Sequence, residues 1–354
     1  MTLLAVLLLS GCGFKDIDKR FFVVSVGVDL AQDSPKKYTV SLKFAVTIAD
    51  KKSSDFIIIS QNADTIAEAV RMIKTKVDKE VDFSHAKVII FSDQLVKKNM
   101  APHLYYWFTR RRDFQEIAWV AIGKPSALDV LKVNPISEQY PSNALFLALG
   151  REGSETPYVI TQYLFDMKKK FTEKGLDPLL PIIEVRKDFI EINKVGLFNK
   201  ERLKLSLSQE ETKMLNFFLR YEEKSALKIG EGKEAFIIDT EKVKVKYKIY
   251  TDKEKQPFIK VDVKIKGRVE EAFHEIRNKN LPKYQNVAEK SMNKEISKLL
   301  GKLQKTGVDP IGFGLRYRSR HFNQDDWEEW KRLYPSIAFK VNTDVQIEDT
   351  GLVE

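Results

Sequence analysis

The chain has 354 residues, with 60 lysines and arginines against 50 aspartates and glutamates, a formal net charge of +10 at pH 7 and a single cysteine. That length supports two or three domains with cores of their own, which excludes a mini-protein or a fibre. An apolar content of 43% with 31% charged residues excludes a disordered chain and a polytopic membrane protein, and one thiol, Cys12, excludes an intramolecular disulfide framework or a multi-thiolate metal site.

Residues 1–11 contain no charged side chain, and 3–9 are apolar. A spanning helix needs about 20 residues, so the run reads as a secretory signal. Such signals normally open on basic residues, whereas Met1-Thr2 leads straight into the apolar core, which leaves room for a slightly longer reading frame. Leu9-Ser10-Gly11-Cys12 resembles a bacterial lipoprotein signal box, in which small residues precede the scissile bond and the cysteine sulfur takes a diacylglyceryl group. That resemblance implies a mature chain beginning at a lipidated Cys12. Two acyl chains, at about 0.8 kcal/mol per buried CH₂, suffice for lasting attachment. A buried thiol in an ordinary N-terminal strand is the other reading, and it leaves the preceding apolar run unexplained.

Phe22, Val24, Val26, Val28 and Leu30 alternate with period two, and Tyr38, Val40, Leu42, Phe44, Val46 and Ile48 repeat the pattern after an Asp33-Ser34-Pro35 turn. This predicts two antiparallel strands with one buried face. Thr65 and Glu68 are then spaced as a capping box ahead of a helical stripe of Ile66, Ala69, Val70, Ile73 and Val77. Residues 87–91 predict a short buried strand, 93–100 a helix and 117–122 a strand ending at Gly123-Lys124-Pro125. The first domain, 18–125, is expected to be mixed α and β.

Within it, residues 105–114 read Tyr-Tyr-Trp-Phe-Thr-Arg-Arg-Arg-Asp-Phe. Tyr105, Tyr106, Trp107, Arg110, Arg111 and Arg112 are candidates for contact with lipid phosphates or a protein partner. The alternative is a helix end whose arginines lie over aromatic rings and pair with Asp113 or Glu116. No nucleic-acid recognition motif accompanies the run.

Pro135, Pro141, Pro157 and Pro178 break the next stretch into short helical patches, which predicts a middle domain or connecting module over 126–190, with strand-like 180–185 and 189–192 near its end. In the last domain, 191–350, Ser208-Gln209-Glu210-Glu211 precedes Met214, Leu215, Phe217, Phe218 and Leu219 as a capped helix. Two ribbons follow: Val243, Val245, Tyr247 and Ile249 alternate with Lys242, Lys244, Lys246 and Lys248, and Ile259, Val261, Val263 and Ile265 alternate with Lys260, Asp262, Lys264 and Lys266. Such a basic face suits either an anionic surface or a solvated strand. A helix over 286–305 with Gly307 as its cap, and a half-buried strand through Ile337, Phe339, Val341, Thr343, Val345 and Ile347, complete an α+β domain.

His85, His103, His274 and His321 are scattered, and His274-Glu275 lacks the second histidine of a zinc-protease motif. Gly230-Glu231-Gly232-Lys233 has neither the spacing nor the hydroxyl residue of a phosphate loop, and Gly312-Phe313-Gly314 has no third glycine at dinucleotide-fold spacing. Both read as turns or close-packing points. Asp325-Asp326 and Glu328-Glu329 read as the polar face of a short helix holding Trp327 and Trp330 inward. No enzyme, metal or cofactor is expected.

Several segments in order resemble the Ger(x)C family, the C-subunit lipoproteins of spore-germination nutrient receptors. They are the box ending at Cys12, Asp16-Ile17-Asp18-Lys19-Arg20 with Val23-Val24-Ser25-Val26-Gly27-Val28-Asp29, and Asp309-Pro310-Ile311-Gly312-Phe313-Gly314. Trp327 and Trp330 ahead of Tyr334-Pro335, and the tail at 341–351, follow. The resemblance implies three α+β domains with separate mixed or antiparallel sheets. It also implies a noncatalytic subunit lipid-anchored through Cys12 on the outer face of the spore inner membrane or cell membrane, assembled with two integral-membrane receptor subunits, with no nucleic-acid partner. The alternative is an extracytoplasmic lipoprotein that binds a small solute or envelope polymer on its own.

Overall fold

The computed structural model describes residues 16–46, 55–133, 141–150, 156–187, 189–220, 224–252, 256–321 and 324–350. Cys12 and the apolar run before it lie outside the described residues, as does Pro135. The chain has a mixed α+β fold built on a nine-stranded and a four-stranded sheet.

The first sheet opens with β1 (Arg20–Leu30) antiparallel to β2 (Tyr38–Val46), Val26 facing Leu42 and Val28 facing Val40. β3 (Asp55–Ala63) extends it on the β2 side, and the short β4 (Glu80–Asp82) pairs with the start of β1. On the other side β1, β5 (Val88–Ser92), β6 (Trp119–Lys124) and β7 (Leu179–Arg186) run parallel. Parallel strands buried on both faces read as continuous apolar runs, and alternate residues divide accordingly. Ile89, Phe91, Val120 and Ile122 join one core with α1 (Ile66–Lys74), α2 (Asp93–Lys98), α3 (Pro102–Thr109) and α6 (Leu164–Thr172). Val88, Ile90, Trp119 and Ala121 join another with α4 (Ala127–Lys132) and α5 (Pro141–Leu149). Thr65 caps α1, the Glu68 N–H donating to Thr65 Oγ1 at 3.1 Å, while the Glu68 carboxylate accepts the N–H of Asp64, one residue before the box would place it, at 3.0 Å.

The β1–β2 hairpin holds α4 at both ends. Asp29 accepts the N–H groups of Ala127 at 2.8 Å and Leu128 at 3.0 Å, and Lys43 Nζ donates to the Leu131 carbonyl at 2.7 Å. Acid at the N-terminus and base at the C-terminus complement the helix dipole. Gly27 lets α4 approach, since a Cβ there would lie 3.0 Å from Leu131 and 3.2 Å from Ala127.

The strand pattern at 189–192 runs on to Phe198 as β8 (Phe189–Phe198), which pairs antiparallel with β7 and with β9 (Leu203–Ser206). The middle stretch therefore continues the first sheet. The extension has a packing reason: Phe198 belongs to the first core, while Val195 and Leu197 belong to the core of the second sheet.

The second sheet has the order β10 (Ser225–Ile229), β11 (Phe236–Tyr250), β12 (Phe258–Ala272), β13 (Ala338–Ile347). The hairpin β11–β12 is antiparallel and β13 lies parallel to β12. Its inner face is covered by α7 (Gln209–Arg220) and by α8 (Leu281–Thr306), whose Ala288, Met292, Ile296, Leu299, Leu300 and Leu303 are buried. Gly307 ends α8 at φ 72°, a left-handed cap that glycine adopts without steric penalty. α9 (Phe313–Arg318) and α10 (Asp326–Leu333) close the domain.

Candidate contact sites

The aromatic–arginine segment forms α3 and the turn after it. Tyr105 is buried and stacks on Phe171 at 5.1 Å, while Tyr106 and Trp107 are half-buried against the first core. Burial raises the Tyr105 phenol well above its ordinary value. The Arg110 guanidinium lies 5.5 Å from the Tyr106 ring centre. Arg111 lies 4.6 Å from Phe83 and 5.0 Å from Trp107, and its Nε donates to Asp113 at 2.8 Å. Glu116 pairs instead with Lys168 at 3.8 Å. Arg110 and Arg112 are exposed. The six residues thus stay together, but Tyr105 and Arg111 face the protein and Arg110 and Arg112 face outward.

A second constellation joins the two sheets. Asp309 is fully buried, and its carboxylate accepts the N–H groups of Gly312 at 2.8 Å, Phe313 at 3.1 Å and Gly314 at 2.7 Å, fixing the entry to α9. Burial pushes this carboxyl up to about 7, against the opposing effect of the three donors. Asp177, just before β7, is also raised by burial and accepts the Asp309 N–H at 2.7 Å. Lys200 Nζ, whose pKa burial lowers, donates to the carbonyls of Lys170, Glu173 and Leu176 and sits 3.5 Å from Asp177. The Leu315 N–H donates to Gly175 at 2.7 Å, and the Tyr334 hydroxyl donates to the Val308 carbonyl at 3.0 Å. Trp330 packs between Tyr317 at 5.1 Å and Tyr334 at 5.4 Å.

The tail motifs singled out in the sequence therefore converge on one junction. Asp309, Gly312, Gly314, Trp330 and Tyr334 meet there, and Trp327 is half-buried beside them. Gly314 is required because a Cβ would come within 2.5 Å of Trp330 Nε1 and 2.8 Å of Gly175 Cα. Sequence reasoning missed their partners Gly175, Asp177 and Lys200. Nothing in the local pattern around 175–200 marks them, because Gly175 acts through Leu315, Asp177 through Asp309 132 residues on, and Lys200 through carbonyls 24 to 30 residues before it.

Each histidine meets its own neighbour: His85 Ser84, His103 Tyr38, His274 Tyr284 and His321 Tyr317. Among the described residues no three metal-ligating side chains gather, and no helix is long and apolar enough to cross a membrane.

Two family models match the chain: "Spore germination protein N-terminal domain" over residues 13–185 and "Spore germination B3/ GerAC like, C-terminal" over residues 193–351. "Spore germination protein GerQC" of Bacillus cereus is 23% identical over 304 residues, covering 84% of this chain and 83% of its own. "Spore germination protein B3" of Bacillus subtilis (strain 168) is 22% identical over 364 residues, covering 98% and 96%. The crystal structure of the GerBC protein has the same fold, with a TM-score of 0.58 at 19% identity over 91% of this chain and 96% of that one.

Proposed function

We infer the function of this chain from its family, for it belongs to the Ger(x)C family of spore-germination receptor C-subunits. It is a noncatalytic subunit of a spore germinant receptor complex. The observation that carries this reading is the match of both family domains across nearly the whole chain. The geometry of the family-like residues agrees with it, since Asp309, Gly314, Trp330 and Tyr334 serve to lock two sheets together and do not converge on a reaction centre.

The finer reading is that the subunit is peripheral, attached through acylated Cys12 to the outer face of the spore inner membrane and associated with two integral-membrane subunits. The signal-like residues 1–11 and the box ending at Cys12 support it. Tethering raises the effective concentration of the body beside its partners before protein contacts add specificity. For the domains, the reading is 18–125, 126–190 and 191–350, with the middle segment as a connecting module. Its support is that β7 pairs with β6 on one side and β8 on the other. Tyr105, Tyr106, Trp107, Arg110, Arg111 and Arg112 remain the proposed partner or membrane contact, through their outward-facing members.

The test is affinity purification of the tagged full chain from detergent-solubilised spore membranes. Recovery of two membrane-spanning receptor subunits is the expected result. Recovery of the chain alone under conditions that preserve other receptor complexes, with a small solute bound, would favour an independent solute-binding lipoprotein.

A further inference from the structure

The outer face of the second sheet carries more positive charge than its fold accounts for. In the register of β11 against β12, Lys242 stands opposite Lys266, Lys244 opposite Lys264 and Lys248 opposite Lys260, and β13 places Lys340 opposite Lys260. Like charges directly across a ladder destabilise it. Three lysines have acids nearby, with Lys260 at 3.0 Å from Asp262, Lys264 at 3.4 Å from Asp344 and Lys266 at 2.7 Å from Glu348. Lys242, Lys244 and Lys246 have no carboxylate within ion-pair distance among the described residues, and only Lys246 of the four β11 lysines stands opposite an acid, Asp262, which pairs with Lys260. Protection of a free edge explains lysines on β11, because β10 covers only its first part, through Thr240. It does not explain those on β12, which is paired on both sides.

The charge continues around that free edge, where Arg316, Arg320 and His321 line a narrow cleft with Lys248 beside Tyr247 and Ile249. At the hairpin end of the same face, Tyr250 and Phe258 stack at 4.6 Å. Lys248 lies 5.0 Å from the Tyr250 ring centre and Lys340 3.8 Å from that of Phe258. Aromatic rings set among lysines suit the headgroup level of a bilayer, where rings occupy the interface and ammonium groups meet lipid phosphates.

We propose that this face, with Lys242, Lys244, Lys246 and Lys248 at its centre and Arg316 and Arg320 at its edge, docks on the anionic headgroups of a lipid bilayer. The contact rests on the membrane-side location inferred above and adds to it the surface that touches the membrane. A broad face with few acids matches a surface of spread negative charge, and the like-charge pairs are relieved once phosphates lie between them.

The experiment uses the mature chain from residue 12 with Cys12→Ser, so that neither an acyl chain nor the apolar leader contributes, in sedimentation with vesicles of phosphatidylcholine alone or mixed with phosphatidylglycerol. Salt-sensitive binding to the anionic vesicles only is expected. Lys242→Glu, Lys244→Glu and Lys248→Glu together place a glutamate opposite Lys266, Lys264 and Lys260, so this variant should melt no lower than the parent while its vesicle partition falls by roughly a hundredfold or more. The same charge change on the exposed side of α8, Lys290→Glu with Lys294→Glu and Lys298→Glu, should leave most of the binding. Equal binding to neutral vesicles, retention of binding by the sheet variant, or equal loss in the α8 variant would overturn the proposal. A sheet variant that keeps vesicle binding but no longer co-purifies with the receptor's membrane subunits would make the face a protein interface instead. Because the vesicle assay contains no receptor subunit, its failure leaves the family-based function standing.

Discussion

Asp177 and Asp309 bond to each other twice, the Asp309 N–H donating to the Asp177 carboxylate at 2.7 Å and the Asp177 N–H donating to the Asp309 carbonyl at 2.8 Å. The pair clamps the approach to β7 in the first sheet against the turn that opens α9 beside the second. The Asp309 carboxyl is raised to about 7 by burial, while in the unfolded chain it titrates near about 3.9. A carboxyl that stays protonated in the native state while the unfolded chain ionises contributes most at low pH. Its contribution is complete below about 4, falls as pH climbs through about 7 and is level beyond. Chemical denaturation across that window should show wild type losing stability relative to Asp309→Asn, which cannot ionise. A relative gain would mean that Asp309 is ionised in the native protein.

Removing the Asp309 carboxylate altogether leaves three N–H donors without their acceptor in a buried site. Each unsatisfied buried group costs about 1–3 kcal/mol, so Asp309→Ala should lower unfolding stability by at least about 3 kcal/mol, with Asp309→Asn nearer wild type. Urea titration followed by tryptophan fluorescence reads this directly, since Trp330 packs in the same junction.

Two glycines separate backbone conformation from crowding. Gly175 and Gly307 both have positive φ, at 84° and 72°. A Cβ on Gly307 meets nothing within 4 Å, whereas on Gly175 it lies 2.5 Å from Gly314 C and Leu315 N. Alanine at either position carries the left-handed penalty of about 1–2 kcal/mol. Gly175→Ala adds overpacking against rigid backbone, about 1–3 kcal/mol more. Equal melting points for the two variants would show that the junction yields easily.

The elements most legible in the sequence were those set by local periodicity. Thr65 with Glu68 marked the first helix, the alternation of Val243 and Lys244 marked the long hairpin, and Gly307 marked the end of α8. β8 was underestimated because its residues are half-buried at one end and serve two cores at the other, so Ile190, Ile192, Val195 and Leu197 present no single alternating face. The junction was half legible. Asp309, Gly312, Gly314, Trp330 and Tyr334 stood out as a resemblance, but Asp177 is an ordinary acid until Asp309 folds against it, and Lys200 an ordinary lysine until the carbonyls of Lys170, Glu173 and Leu176 close around it. Lys43 was hidden in the same way, because it shares the polar face of an alternating strand with Thr39 and Ser41 and its partner carbonyl, Leu131, lies 88 positions on.

Cys12→Ala should release the protein from the membrane without disturbing the folded body, since the junction and the three cores are built from Val23 onward and Cys12 belongs to none of them. Fractionation of spores should find the variant in the soluble fraction, and nutrient germination should fall while the purified protein keeps its melting temperature. Normal membrane retention together with normal germination would refute the lipid anchor.

The aromatic–arginine segment offers a test that tells folding from contact, because neighbouring arginines differ in what they touch. Arg111 lies over Phe83 and Trp107 and pairs with Asp113. Cation–π contacts contribute about 0.5–1 kcal/mol each when exposed and more when desolvated, so Arg111→Ala should destabilise the first domain by about 1–2 kcal/mol. Arg112 is exposed, and Arg112→Glu should change stability by less than about 0.5 kcal/mol. If the segment serves only to finish α3, Arg112→Glu leaves co-purification with the membrane subunits unchanged. If its outward side meets a partner or lipid phosphates, the reversed charge weakens that association at unchanged melting temperature, and Arg110→Glu does the same from the adjacent position. Unchanged association in the Arg110→Glu, Arg112→Glu double variant would assign the whole segment to the fold, with Arg111 as its fastening point on Phe83 and Trp107.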